Sequence, residues 1–172
     1  MERYRIDLKS LTADETHLHF TLDDAYFRSL DGAQVQSGNL ESTLTIRKLS
    51  SFFEFLFSTA GTVSIPCDLC LDPMDQPISA ENRVVVRLGE TASDDDDMIT
   101  VDANNPIIDV AWLIYEFIVL SIPIRHIHAP GKCNDAMTQK LRELSAARSS
   151  DADTPNAVDP RWSALSKLKS DD

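Results

Sequence analysis

Glycine is scarce in this chain, with five in 172 residues, and that scarcity bears on function at once. Neither a Gly-x-Ser-x-Gly turn nor a glycine-rich loop ahead of a helix occurs, so the familiar nucleophile elbow and phosphate cradle are missing. Basic residues are also in short supply: 16 Lys and Arg stand against 28 Asp and Glu, a net charge of −12. Affinity that comes from neutralising phosphates needs clustered cations. Free RNA is therefore a poor first partner, direct RNA contact is left open, and docking onto a basic protein suits the charge better. No stretch reaches the roughly 18 to 20 apolar residues that span a bilayer, so no membrane partner is expected. Charges at Glu2, Arg3, Arg5 and Asp7 fall where an export leader needs an apolar core, so the cytoplasm is the expected compartment. Cysteine is limited to three residues. An odd count with two in a Cys-x-x-Cys pair excludes a disulfide framework and favours a metal site or free thiols.

What is present is enough for one core: 42% of the residues are hydrophobic, close to the globular norm. Period-two alternation marks strands around Tyr4, Ile6 and Leu8 and over His17–Leu22, where Leu18, Phe20 and Leu22 share a face. Asp23 and Asp24 are placed to cap a short helix through Leu30. Alternation resumes from Val35 to Leu49; Phe52–Phe57 and Thr62–Pro66 read as buried strand, and Ile78–Leu88 as a further one. The four aspartates 94 to 97 end a segment from Glu90 that is expected to be a solvated loop, since calcium loops need a glycine turn absent here. Asp109–Leu120 is the best helix, broadly apolar and stopped by Pro123. A second, amphipathic helix is expected from Asn134 or Asp135 to about Ala147, with Met137, Leu141 and Leu144 on one face. These elements predict an α+β fold: an antiparallel twisted sheet or partly closed β-barrel packed against a buried helix, with short C-terminal helices. Residues 1–148 form the expected single domain, 149–159 a Ser/Asp/Pro-rich flexible linker, and 160–172 a C-terminal docking segment.

One constellation carries chemistry. Cys67 and Cys70 form the Cys-x-x-Cys pair after a strand, and Cys133 follows much later, with His128 ahead of it and four residues between them in a Gly-containing loop. A tight turn brings both sulfurs of such a pair to one point, and Cys67, Cys70, His128 and Cys133 together would make a closed Cys₃His set of the structural zinc type. His126 is the alternative fourth ligand. A redox reading is weaker, because catalytic Cys-x-x-Cys pairs open a helix and this one sits in a β-hairpin. His17 and His19, on a strand, read as solvent-facing side chains.

Four motifs in order then carry a likeness: Pro66-Cys67-Asp68-Leu69-Cys70-Leu71-Asp72-Pro73; the helix ending Glu116-Phe117-Ile118-Val119-Leu120-Ser121-Ile122-Pro123; His128 with Cys133; and Asp159-Pro160-Arg161-Trp162-Ser163-Ala164-Leu165-Ser166-Lys167-Leu168-Lys169. In that order the chain resembles the YceD-like large ribosomal RNA subunit accumulation proteins. The resemblance implies a bacterial cytosolic factor, not an enzyme, that supports large-subunit ribosomal RNA levels and ribosome biogenesis. Its implied partner is a ribosomal protein or a large-subunit assembly intermediate. Two departures stand out: Leu69 occupies a position where relatives often carry a basic residue, and the aspartate run is peculiar to this branch. The C-terminal Arg161, Trp162, Leu165, Lys167, Leu168 and Lys169 are the expected partner-binding residues, locally basic and apolar at helical spacing. They also admit a second reading, in which Trp162, Leu165 and Leu168 pack back on the domain. A zinc-stabilised protein-binding adaptor with no ribosomal role is the alternative function.

Overall fold

The structure is a computed structural model; it describes residues 2–90, 93–95 and 98–144, with only the backbone of 93–95. Residues Met1–Thr138 make one compact unit and Gln139–Asp172 a second. The strands are β1 (Arg5–Asp7), β2 (Glu15–Leu22), β3 (Gly38–Lys48), β4 (Phe53–Pro66), β5 (Pro73–Gly89), β6 (Ser93–Asp95), β7 (Met98–Asp102) and β8 (Ile107–Asp109). The helices are α1 (Asp24–Arg28), α2 (Ala111–Ser121) and α3 (Asp135–Leu144). Strand order is β2-β3-β4-β5-β7-β6 in the main sheet, and β1 pairs with β8 in a small separate one. The fold is α+β, and among the described residues the sheet stays open rather than closing into a barrel.

Alternation dictates the sheet. Leu40, Leu44 and Ile46 of β3, Phe53, Phe55, Phe57, Val63 and Ile65 of β4, and Ile78 and Val86 of β5 are buried on one face. Each such side chain contributes about 1.5–3 kcal/mol on burial. Two hydroxyls fall on this face, and Ser42 and Thr59, directly paired across β3 and β4, satisfy each other at 2.7 Å. Strand β4 passes unbroken through Gly61 at φ +149°. A Cβ there would strike the carbonyl of Asn39 on β3, so only glycine lets the two backbones approach.

Helix α2 packs on β4 and β5 with Ala111, Ile114, Tyr115 and Ile118 buried. It begins two residues later than the sequence suggests. Asp109 belongs to β8, yet its carboxylate accepts from the Ala111 N–H at 2.9 Å, which serves one of the helix's free donors. The helix stops at Ser121 because Ile122, immediately before Pro123, is held extended at ψ 127°. Tyr4, Phe20, Tyr26, Phe27 and Tyr115 form a chain of ring contacts with centroids 5.1–6.4 Å apart, tying the N-terminal segment and α1 to α2. Asp23 caps α1 through the Tyr26 N–H.

One expectation needs correction, and the mostly antiparallel sheet contains one parallel pair. The stretch from Glu90 to Asp97 is not all loop, because the backbone of Ser93–Asp95 pairs antiparallel with β7. Hydration of aspartate side chains does not stop the backbone beneath them from joining an edge. The sheet is also not purely antiparallel: β7 runs parallel to β5, between β5 and β6. A period of two reveals a strand and its buried face but not the direction of its neighbour. The linker 149–159 and the segment 160–172 lie outside the described residues.

The Tyr115 hydroxyl accepts from the backbone N–H groups of Gln34 (2.7 Å) and Val35 (3.2 Å), holding the half-buried loop before β3 to α2. Tyr115→Phe strands both donors, and urea denaturation should show a loss of about 1–3 kcal/mol.

Candidate metal centre

The long β4–β5 hairpin extends to the pair Pro66↔Pro73, and its tip carries Cys67 and Cys70. Two backbone bonds shape that tip: Cys67 N–H to Asp72 O and Leu71 N–H to Cys67 O, both 2.9 Å. Closing it takes a left-handed residue, and Leu71 adopts φ +63°, a conformation that costs a side-chain-bearing residue energy. The loop after α2 lies against this tip. Asp68 and His126 clamp the two together from both sides. Asp68 N–H donates to His126 O at 2.9 Å, His126 N–H donates to the Asp68 carboxylate at 2.7 Å, and His126 Nε2 lies 3.3 Å from the same carboxylate.

With the loop held there, Cys67, Cys70, His128 and Cys133 place one ligand atom each within 4.8 Å of all the others. Cys70 Sγ is 3.3 Å from His128 Nδ1, Cys133 Sγ is 3.9 Å from the same nitrogen, and Cys67 Sγ is 3.9 Å from Cys133 Sγ. Metal–sulfur bonds of about 2.3 Å in a tetrahedron put sulfurs about 3.8 Å apart, so the donor set has the right size for one ion. All three cysteines are free thiols, with Cys67 and Cys70 buried. His128 Nε2 lies 3.3 Å from Pro73 O. A proton on that nitrogen leaves the Nδ1 lone pair facing the sulfurs, the usual second contact of a metal-binding histidine. His126, the alternative by spacing, is engaged by Asp68 and by Pro123 O at 3.1 Å and stands outside the four-residue group.

The electrostatics of the thiols differ. Burial alone would raise the Cys67 pKa, but backbone N–H groups of Cys70, His128 and Leu69 and the Cys70 side chain outweigh it, bringing the thiol down from 9.0 to about 6. Cys133 goes the other way, to about 11, through burial and the neighbouring Cys67 and Cys70 sulfurs. Near neutral pH the cluster thus already holds a thiolate, ready to meet a cation.

The profile of a family described as "Large ribosomal RNA subunit accumulation protein YceD" matches residues 56–169, more than half of the chain. The chain belongs to the YceD family. No curated protein and no solved structure matches it significantly. The YceD match begins within β4 and takes in the hairpin tip, α2 and all four clustered residues. It also covers Arg161, Trp162, Leu165, Lys167, Leu168 and Lys169, which lie outside the described residues. Three contributors to the cluster's support went unassigned in the sequence, Asp68, Asp72 and Asn134, and His126, expected as an alternative ligand, serves as support instead. Asn134 Nδ2 donates to the Asp72 carboxylate at 3.1 Å, and Asn134 Oδ1 caps α3 through Ala136 and Met137. An Asp inside the Cys-x-x-Cys pair and an Asn directly after the last Cys were the available signals.

Protein purified without chelator should carry about one metal ion per chain, measured by elemental analysis. Cys67→Ser should lose it together with a lowered melting temperature, because structural metal in small sites is worth on the order of 10 kcal/mol. The pH dependence of the metal-free form follows from the thiols. The lowered Cys67 value contributes stability that is fully present above 9.0 and is lost as pH falls through about 6. The raised Cys133 value contributes stability that is present below 9.0 and is lost as pH rises through about 11. In chelator and reductant, the melting-temperature gap between wild type and Cys67→Ser should therefore narrow from about pH 8 to about pH 5.

Proposed function

We propose that this protein is a non-enzymatic bacterial, cytoplasmic factor that supports large-subunit ribosomal RNA accumulation and ribosome biogenesis. The YceD family match over residues 56–169 carries the reading. Its metal is a structural zinc: three thiolates and one imidazole suit that ion, and four protein donors leave no coordination position for a substrate. Zinc fixes the hairpin tip to the loop after α2 and sets the start of α3. The C-terminal Arg161, Trp162, Leu165, Lys167, Leu168 and Lys169 form the docking element for a ribosomal protein or a large-subunit assembly intermediate. A net charge of −12 favours such a protein contact over phosphate neutralisation. No described helix is long and apolar enough to cross a membrane.

The charge also suits the second reading, a zinc-stabilised adaptor without a ribosomal role. Deleting the gene should lower the ratio of large- to small-subunit ribosomal RNA, and wild-type protein but not Trp162→Ala should restore it. An unchanged ratio supports the adaptor.

A further inference from the structure

The two ends of the main sheet are guarded unequally. Strand β6, at one end, has the sequence Ser93-Asp94-Asp95 and contains the first two of four consecutive aspartates, and clustered charge on an edge discourages pairing with another strand. Strand β2, at the other end, is eight residues long, pairs with β3 without a bulge, and contains neither Pro nor Lys. From Thr16 to Leu22 it carries no Asp, Glu or Arg.

The register fixes which backbone groups β2 offers. Lys48 N–H donates to Asp14 O at 2.8 Å, so 14↔48 is a hydrogen-bonded pair, and the even residues of β2 point their N–H and C=O groups at β3. The odd residues, Glu15, His17, His19 and Thr21, turn theirs to the free edge. The Arg3 guanidinium occupies Thr21 O at 3.0 Å, which agrees with that direction. Among the described residues nothing is bonded to the edge groups of His17 and His19. Their rings do not obstruct the edge, since each leans onto β3, with Nδ1 at 2.9 Å from Thr45 Oγ1 and 3.1 Å from Thr43 Oγ1.

We infer that β2 pairs antiparallel with β2 of a second copy of this chain, joining two sheets edge to edge about a two-fold axis at Leu18. A two-fold register accommodates this occupant. Pairing His17 with His19 of the second copy matches outward-facing backbone groups and gives about four hydrogen bonds around the axis. It also sets the two half-buried Leu18 side chains opposite each other on the core side, and Thr16 beside Phe20. Charge agrees as well. In a chain of net charge −12 most surfaces repel a copy, whereas this strand's single carboxylate, Glu15, is already paired with Arg47 at 2.8 Å and lies at the strand's end. The contact is small, so the dimer belongs to the weak, reversible class.

Sedimentation velocity of the full chain across the micromolar range should show a monomer–dimer equilibrium. Replacing an edge N–H with proline leaves the strand's own ladder intact, so His17→Pro should raise the dimer dissociation constant about tenfold or more while circular dichroism stays unchanged. Should His17→Pro fail to fold, Leu18→Lys decides, because it keeps every backbone donor and sets two like charges face to face. A wild-type chain that stays monomeric throughout, as expected if this edge instead takes an extended peptide of another protein, overturns the inference. So does a dimer that both variants leave unweakened.

Discussion

The antiparallel pairing of β4 with β5, from Phe53↔Val86 to Pro66↔Pro73, is the constraint on which the other parts depend. One half of this long hairpin supplies the centre of the core, with Phe55, Phe57 and Val86 buried and the Phe57 ring against Phe117 of α2. The other half continues the core through Val63, Ile65 and Ile78 and delivers Cys67 and Cys70 at its tip. A one-residue slip in this register would turn every aromatic side chain of β4 to the opposite face and shift the thiols along with them. The packing of the core and the position of the cluster are therefore one geometric fact.

Helix α2 links those halves a second time. Its buried face sits on the sheet, and the break imposed before Pro123 redirects the chain toward the hairpin tip, where the Asp68–His126 clamp receives it. The clamp consists of ordinary hydrogen bonds and holds the loop that carries His128 and Cys133 beside the Cys67 and Cys70 thiols. The unusual conformation of Leu71 fits the same picture: local strain in the tip is held by the bonds of Cys67 to Asp72 and Leu71.

Much of this was legible in the residues. Alternation disclosed β2 and β3 and their buried faces, aromatic and apolar runs disclosed parts of β4 and β5, an apolar run closed by Pro123 disclosed α2, and ligand chemistry with spacing grouped Cys67, Cys70, His128 and Cys133. These are local properties: side-chain period, proline geometry and donor type are written in short stretches of chain. The parallel placement of β7, the pairing of Ser93–Asp95, the clamp that engages His126, and the edge position of β2 among the described residues were not legible. Each depends on which segments meet across tens of residues, and a strand's sequence carries its face but not its neighbour. The sequence by itself determined an α+β chain of the YceD family with a candidate metal set. Only the tertiary structure decided that His128 rather than His126 joins the thiols, because a hydrogen bond to Asp68, 58 residues away, engages one histidine and leaves the other beside the sulfurs.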